Sequence, residues 1–327
     1  METYTQHAHD HVRYLSETIG GRGSCTAEVR QAAEYVYKLL GKYGVQHAHY
    51  EEFTGAPSTY RPYALAFAVA LIGSLLALAV GNRVALGAAA VLNLLGAWAM
   101  FAETDFIDHW ARWLSPKAAS QNVVGLIPCQ GEPIQRVVLC AHLDTHRTPV
   151  FYSSNAWHKI FGFLVSATFA IMALGALGFG LGAIMGWEWL RWGGVAAVPV
   201  QIFALSLMIH ADFTPFSPGA NDNASAVGVV LGLVERLAVE PLAHMVFTDC
   251  EEAACYGMIA YLDRHAAELG PQAVYLVLDE VGLDHVKYIT ADGLIRKHPT
   301  HPKALALARQ AAAGLERKAL ELVGTAY

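Results

Sequence analysis

Four short stretches of this sequence carry side chains that could do chemistry together. His142 and Asp144 stand two apart in His142-Leu143-Asp144. Asp222 sits in the turn-rich run SPGANDNASAVG (217–228), Glu251 and Glu252 are adjacent in TDCEEAACYG (248–257), and Asp279 precedes Glu280 in LDEVG (278–282). A histidine with several carboxylates and no cysteine is a borderline-to-hard ligand set, suited to Zn²⁺, or to Mn²⁺ or Co²⁺ in the same geometry. Adjacent carboxylates repel, and burial raises the cost of keeping both ionised. A Glu-Glu pair directly behind the apolar run His244-Met245-Val246-Phe247 therefore calls for a cation. One glutamate can then bind metal while its neighbour, pointing elsewhere, handles a proton. Taken singly each residue is ordinary: a strand-end histidine, a helix cap, a surface Glu-Glu pair, a turn aspartate. Their order and placement give the set its weight. HExxH, GxSxG and phosphate-binding loop motifs are absent.

The elements that must position these residues are legible as short apolar or β-branched runs. Val45–Phe53, Asn122–Ile127, Arg136–Ala141, Ala243–Thr248 and Ala273–Leu278 read as strands. Helical spacing marks Glu2–Ile19, a second helix from an N-cap at Thr26 to near Gly44, and then Asn223–Ala238, Gly257–Leu269 and Pro302–Leu320. Strands alternating with helices predict an α/β fold with a mostly parallel central sheet flanked by helices. Three of the candidate stretches directly follow strands, and ligands of open α/β sheets bind outside the carboxyl ends of the strands. The sequence thus delivers His, Glu and Asp side chains to one edge of one sheet.

Composition adds a second theme. Charged residues are only 15% of the 327 and hydrophobic residues 54%, with a mean hydropathy of +0.33. Four uncharged stretches, Pro62–Asn82, Val84–Ala102, Ile160–Trp187 and Trp192–Ile209, hold the excess. Each is close to the roughly 20 helical residues that cross a bilayer, so they predict four transmembrane helices in two hairpins. Gly178, Gly182 and Gly186 form a candidate small-residue packing face. The expected organisation is one α/β domain assembled from residues 1–60, 104–158 and 211–327, with hairpins at 61–103 and 159–210. Nothing ahead of the first hairpin resembles a signal peptide. Arg61, Arg112, Lys117, Arg147 and Lys159 lie near the hairpin bases, against Arg83 and Arg191 at the tips. This bias predicts a multi-pass integral membrane protein with its polar domain on the cytoplasmic side. Cys25, Cys129, Cys140, Cys250 and Cys255, odd in number and without CxxC spacing, read as reduced thiols. A net charge of −6 without a Lys/Arg cluster argues against a nucleic-acid partner.

The order HxD, then PGANDNAS, then Glu-Glu, then LDEVG resembles the co-catalytic zinc aminopeptidases of the bacterial leucyl aminopeptidase and aminopeptidase Y type. GGRGSCTAEVRQAAEYVYKLLGKYGV (20–45) and NVVGLIP (122–128) are similar to that family's early helix and following strand. The resemblance implies a zinc-exopeptidase-like fold, peptide substrates and two zinc ions. It assigns His142 and Asp279 to one zinc, Glu252 to the other, and Asp222 as the bridge. Glu251 becomes the general base that activates water and then protonates the leaving amine, and Asp144 the partner that orients the His142 imidazole.

Two departures from the pattern follow. The family's fifth ligand, a histidine after the last strands, has no counterpart, and only His285, His298 and His301 remain past Asp279. The closing LVGTAY looks like the start of another core strand, so the expectation is a chain cut before its last ligand; the alternatives are that one of those three histidines substitutes, or that the second metal site is incomplete, with one zinc in place of two. The hairpins are the other departure, and they predict an active site close to a lipid bilayer. The leading expectation is a membrane-anchored zinc exopeptidase that removes N-terminal residues from peptides. The alternatives are a single-zinc, glutaminyl-cyclase-like acyltransferase and a non-catalytic membrane scaffold on a degenerate peptidase domain. A four-helix transporter is disfavoured, since no ionisable group lies in the apolar stretches.

Overall fold

A computed structural model describes residues 2–128, 135–237, 243–283, 285–293, 296–314 and 319–323. The chain divides into two compact units, one built from residues 1–57, 117–146 and 216–327, the other from residues 58–116 and 147–215.

The first unit is organised by a five-stranded sheet of β1 (Gln46–Gly55), β2 (Ala118–Ile127), β3 (Val137–His142), β4 (Ala243–Thr248) and β5 (Val274–Val277). The spatial order is β1-β2-β4-β3-β5. β3 pairs in parallel with β4 and β5, whereas β2 runs antiparallel to both β1 and β4. The sheet is therefore mixed where a mostly parallel one is expected: β2 alone is reversed, and it stands between two strands that run the other way. Strand composition specifies burial on the two faces and leaves pairing direction open.

Alternation along the central strands feeds two cores. Val123, Leu139, Ala141, Met245 and Phe247 face one side, packed by Val29, Val36 and Leu40 of helix Ala27–Lys42 and by Val230, Leu231 and Val234 of helix Ala226–Leu237. Val124, Val138, Cys140 and Val246 face the other, against Tyr261 and Leu269 of helix Tyr256–Leu269. Helix Ala27–Lys42 begins where the Thr26 side chain accepts from the Val29 amide, the N-cap that its sequence predicts.

The C-terminal part departs from expectation. The last helix runs from Pro302 only to Ala313 and ends at Gly314, short of Leu320. Leu320–Val323 forms β8, which pairs with β6 (Lys287–Asp292). With β7 (His298–Pro299) these strands make a separate three-stranded sheet, which Leu322 and Val323 of LVGTAY join; its last four residues lie outside the described residues. Cys25, Cys140, Cys250 and Cys255 are free thiols; Cys129 lies outside the described residues.

The second unit contains helices Tyr60–Ala79, Arg83–Thr104, Asn155–Met185 and Gly193–Asp212, each long and apolar enough to cross a membrane. Of the three glycines of the expected packing face, Gly178 has open space around it, Gly186 is the left-handed C-cap of its helix, and only Gly182 lies against another helix, at Leu86. Charges gather at the helix ends: Arg61 Nε donates to Asp212 (2.9 Å), while Glu103 accepts from His109 and Arg112 (2.7 Å each).

A polar node sits inside this unit. Asn93 Nδ2 donates to Ala89 O (3.0 Å), Ser74 Oγ (3.3 Å) and Ala70 O (3.4 Å), and Asn93 Oδ1 accepts from Gln201 Nε2 (3.0 Å). All three side chains, Ser74, Asn93 and Gln201, are fully buried. Interhelical hydrogen bonds of this kind contribute about 0.6 kcal/mol each on average. Asn93→Leu is accordingly expected to lower the stability of the detergent-solubilised protein by about 1–2 kcal/mol in thermal unfolding. Pairing it with Gln201→Leu should recover part of the loss, because the orphaned carboxamide is then gone. Equal melting of Asn93→Leu and the unaltered chain would deny the node any role.

Candidate active site

The register of β3, β4 and β5 places the candidate residues at one edge. His142 ends β3 opposite Thr248 of β4, and Cys140 is opposite Val277 of β5. The ladder continues one residue beyond each strand, with Leu143 N donating to Thr248 O (2.8 Å) and Leu278 N to Cys140 O (2.9 Å). Asp144, Glu251, Glu252 and Asp279 therefore leave the sheet together.

His142 is buried and its two ring nitrogens have different partners. Nδ1 lies 3.1 Å from the Asp144 carbonyl, which can only accept, so this nitrogen carries the proton. Nε2 is left with its lone pair and faces Asp222 Oδ1 (3.2 Å), Asp279 Oδ1 (3.5 Å) and Glu251 Oε2 (3.9 Å). The expected Asp144–His142 contact thus runs through the backbone carbonyl; the carboxylate is 3.5 Å from Nδ1. That carboxylate, fully buried, accepts instead from Ser24 Oγ (2.7 Å), Glu251 N (3.2 Å) and Glu252 N (3.2 Å). Asp144 holds the Glu-Glu loop. Asp249 does the same from behind, accepting from Cys250 N (2.6 Å), Cys25 N (3.2 Å) and Ser120 Oγ.

Asp222 arrives on the segment before helix Ala226–Leu237, and that segment is clamped by a residue the sequence reading passed over. Arg22, 1% exposed, donates to Leu15 O (2.7 Å), Gly20 O (2.8 Å), Leu143 O (2.9 Å), Pro218 O (2.9 Å) and Gly219 O (3.2 Å). It ties the residue after His142 to the turn before Asp222. Burial lowers its guanidinium to about 10, opposed by Asp144 and Asp222. Gly219 is required here: its φ is +61°, and a Cβ would stand 2.1 Å from Thr145 Cγ2. Asn223, fully buried, donates to Leu278 O (3.1 Å) and accepts from Glu280 N (3.3 Å), fixing the Asp222 segment to the strand end that carries Asp279. The signal that could have found Arg22 is a charged residue inside the glycine-rich GGRGS turn.

At this edge two sets of ligand atoms converge within 4.8 Å, His142, Asp222 and Asp279, and His142, Glu251 and Glu252; a third set, Cys25, Asp249 and Cys250, lies behind the Glu-Glu loop. Asp222 Oδ1 and Glu252 Oε1 are buried without a hydrogen-bond donor, a costly state for carboxylate oxygens unless a cation meets them. As it stands the crowding shows in the titrations. Enclosure by the protein, with Asp222 and Glu251 adding to it, pushes Glu252 well up. Glu251 keeps 39% of its side chain open to solvent, yet enclosure first, and then Asp144, Asp279 and Asp222 against the pull of His142, raises it to about 7. Burial alone would lower His142, but Glu251, Asp144, Asp222 and Asp279 together raise it well above its ordinary value. A bound divalent cation inverts this logic, favouring ionised carboxylates and a neutral imidazole. The donor set, its convergence and its orphaned oxygens fit a zinc-type ion.

The structure brings together all of His142, Asp144, Asp222, Glu251, Glu252 and Asp279. Among the described residues, no ring nitrogen of His285, His298 or His301 lies within 4.0 Å of these carboxylates. His146 does, with Nε2 3.8 Å from Asp222 Oδ2; the spacing His142-x-x-x-His146 was its available signal.

Residues 201–323, which include Asp222, Glu251, Glu252 and Asp279, match the profile of peptidase family M28. No curated protein matches the chain. Among solved structures the chain is similar to BSAP, a zinc aminopeptidase from Bacillus subtilis, at 14% identity and a TM-score of 0.51, covering 98% of this chain and 79% of that one. It is also similar to a glutaminyl cyclase from an Acidobacteriales bacterium, at 13% identity and a TM-score of 0.50, covering 98% and 72%. At such identities the likeness is one of fold. The family match and the ordered motifs agree: residues 201–323 are similar to peptidase family M28, and the motifs resemble those of co-catalytic zinc aminopeptidases.

Proposed function

We propose that this chain is a membrane-anchored, zinc-dependent aminopeptidase that hydrolyses the N-terminal peptide bond of peptides. The observation that carries the reading is the convergence of His142, Asp222 and Asp279 beside Glu251 and Glu252, with buried carboxylate oxygens that have no donor. His142, Asp222, Asp279 and Glu252 would hold zinc, which when bound polarises the scissile carbonyl and eases ionisation of water. Glu251 takes the proton from the attacking water on its carboxylate and returns it to the leaving amine. Glu251 suits that task because its backbone is fixed by Asp144 while its side chain stays partly open to solvent. Anchoring is supported by the four apolar helices, whose large side chains face outward: Phe163 is 75% exposed and Leu174 and Leu177 66% each. Such a surface fits a lipid bilayer. The charge bias at the hairpin bases supports a cytoplasmic catalytic domain.

The test is a panel of aminoacyl chromogenic substrates with the detergent-solubilised chain. Turnover is expected, abolished by a chelator and restored by zinc. Activity that survives complete removal of metal would sink the reading.

A second reading has one observation in its favour. Both converged sets share His142, which makes a single-ion, glutaminyl-cyclase-like reaction the alternative. Peptides with an N-terminal glutamine separate the two: cyclisation releases ammonia and no amino acid, whereas hydrolysis releases glutamine.

A further inference from the structure

We infer that Cys25 and Cys250 form a reversible oxidation site, a thiol pair that closes to a disulfide and in doing so displaces the Glu-Glu loop. The disulfide is independent of the aminopeptidase reading; its effect on turnover rests on that reading.

The two sulfurs, 225 positions apart in sequence, are 3.3 Å from each other. A disulfide bond is about 2.05 Å long, so closure asks for about 1.3 Å of movement shared by two side chains. The backbones are held for it by a single carboxylate. Asp249 accepts from Cys250 N on Oδ1 (2.6 Å) and from Cys25 N on Oδ2 (3.2 Å). Gly55, at the end of β1, leaves the room: a Cβ there would stand 2.6 Å from Cys250 Sγ and 3.2 Å from Cys25 Sγ.

Cys25, Asp249 and Cys250 also converge as a possible cation set. Asp249 does not fit that role. It is 2% exposed, with Oδ1 taken by Cys250 N and Oδ2 by Cys25 N and Ser120 Oγ. Asp222 and Glu252, by contrast, keep oxygens without a donor. The chemistry left to the pair is that of its two sulfurs.

The sulfurs differ in access. Cys250 is fully buried with Ala56 and Ala253, whereas Cys25 is half-buried. An oxidant therefore meets Cys25 first, and Cys250 resolves the product. With hydrogen peroxide, the O–O bond breaks as Cys25 gains one oxygen, giving a sulfenic acid and one water. Cys250 sulfur then attacks Cys25 sulfur. The S–S bond forms, the S–O bond breaks, and the hydroxyl leaves with the Cys250 proton as a second water. Two electrons pass from the thiols to the peroxide. A small dithiol reverses the step by two exchanges and is itself oxidised to a disulfide. In the cytoplasmic setting proposed above such a bond is transient, the behaviour of a sensor.

The bond would join two parts of the candidate site. Cys25 follows Ser24, whose hydroxyl donates to Asp144, and Cys250 directly precedes Glu251. Movement of Cys250 toward Cys25 carries the Glu251 backbone with it. A misplacement of about 1 Å can cost roughly 100-fold in rate. Oxidation is expected to lower kcat about 10- to 100-fold.

The test uses the full chain in detergent, reduced, desalted and exposed to a small excess of hydrogen peroxide. Mass spectrometry of unreduced peptides should show a Cys25–Cys250 linkage that dithiothreitol removes, with turnover falling and returning in step. Cys25→Ser keeps the amide that Asp249 accepts; it should form no linkage and keep its turnover under peroxide. Cys250→Ala should stop at the Cys25 sulfenic acid, which dimedone traps. Absence of the linkage in the unaltered chain, or pairing of Cys250 with another cysteine, would overturn the inference. Linkage that leaves the turnover of an active chain unchanged would overturn the displacement of the loop. A reduced chain without turnover would count against the aminopeptidase reading, with the linkage still read by mass.

Discussion

Glu251→Gln is expected to leave zinc binding within a few-fold of the unaltered chain while lowering kcat about 100- to 10,000-fold, the usual weight of a positioned acid–base group. The separation of the two effects follows from where the neighbouring glutamates are held. Both backbone amides are fixed by Asp144, at 3.2 Å each, so a change confined to the Glu251 side-chain terminus does not move the Glu252 backbone. Glu252 carries the orphaned Oε1 and lies in the carboxylate cluster; Glu251 keeps 39% of its side chain open and faces His142 at 3.9 Å. Glutamine preserves that shape and removes the ability to accept a proton. The expected kinetic pattern is a fall in kcat and kcat/KM together with KM nearly constant, since the group is used in the transition state and not in holding substrate. Turnover by Glu251→Gln close to that of the unaltered chain would take Glu251 out of the mechanism. Loss of zinc along with turnover would make it a ligand instead.

How much of this was legible in the sequence depends on the range of the interaction that fixes each feature. Strand positions and the edge they deliver to are written locally: VVLCAH ends in His142, and Ala243–Thr248 runs into the Glu-Glu loop. The four apolar helices are local as well, because length and hydropathy alone mark them. The reversed β2 was not legible, since alternation of buried residues is the same in either pairing direction. Arg22 was missed because its five acceptors are backbone carbonyls, two from the preceding segment and three from two distant segments, and a carbonyl leaves no mark in a sequence. The role of Asp144 was half legible. Its proximity to His142 follows from the two-residue spacing, but its grip on residues 251 and 252 depends on β3 lying beside β4.

Asp144→Ala is the harsher test of how the site is assembled. Its carboxylate is fully buried and accepts from the Ser24 hydroxyl and the amides of Glu251 and Glu252. Removing it strands three donors, the Ser24 hydroxyl in a fully buried bond and the two amides in partly buried ones, each worth up to about 1–3 kcal/mol when left unpaired. Part of that loss is offset, because Asp144 also raises Asp249 and Glu251 by repulsion, after the larger effect of burial. A net destabilisation of about 2–5 kcal/mol is expected in thermal unfolding. The released loop should also weaken zinc binding about 10- to 100-fold, the usual consequence of losing the groups behind metal ligands. Turnover should fall further than zinc affinity, because Glu251 is set by the same anchor. Asp144→Asn retains one carbonyl oxygen for the two amides but turns a donor toward one of them, so its effects should lie between. Ser24→Ala removes a single partner and should be the mildest of the three. That ranking, read in melting temperature, zinc affinity and kcat together, distinguishes an anchor for the Glu-Glu loop from an orienter of the imidazole. If Asp144 acted chiefly through His142, whose Nδ1 meets a backbone carbonyl that every variant keeps, Asp144→Ala would leave zinc affinity and turnover nearly intact.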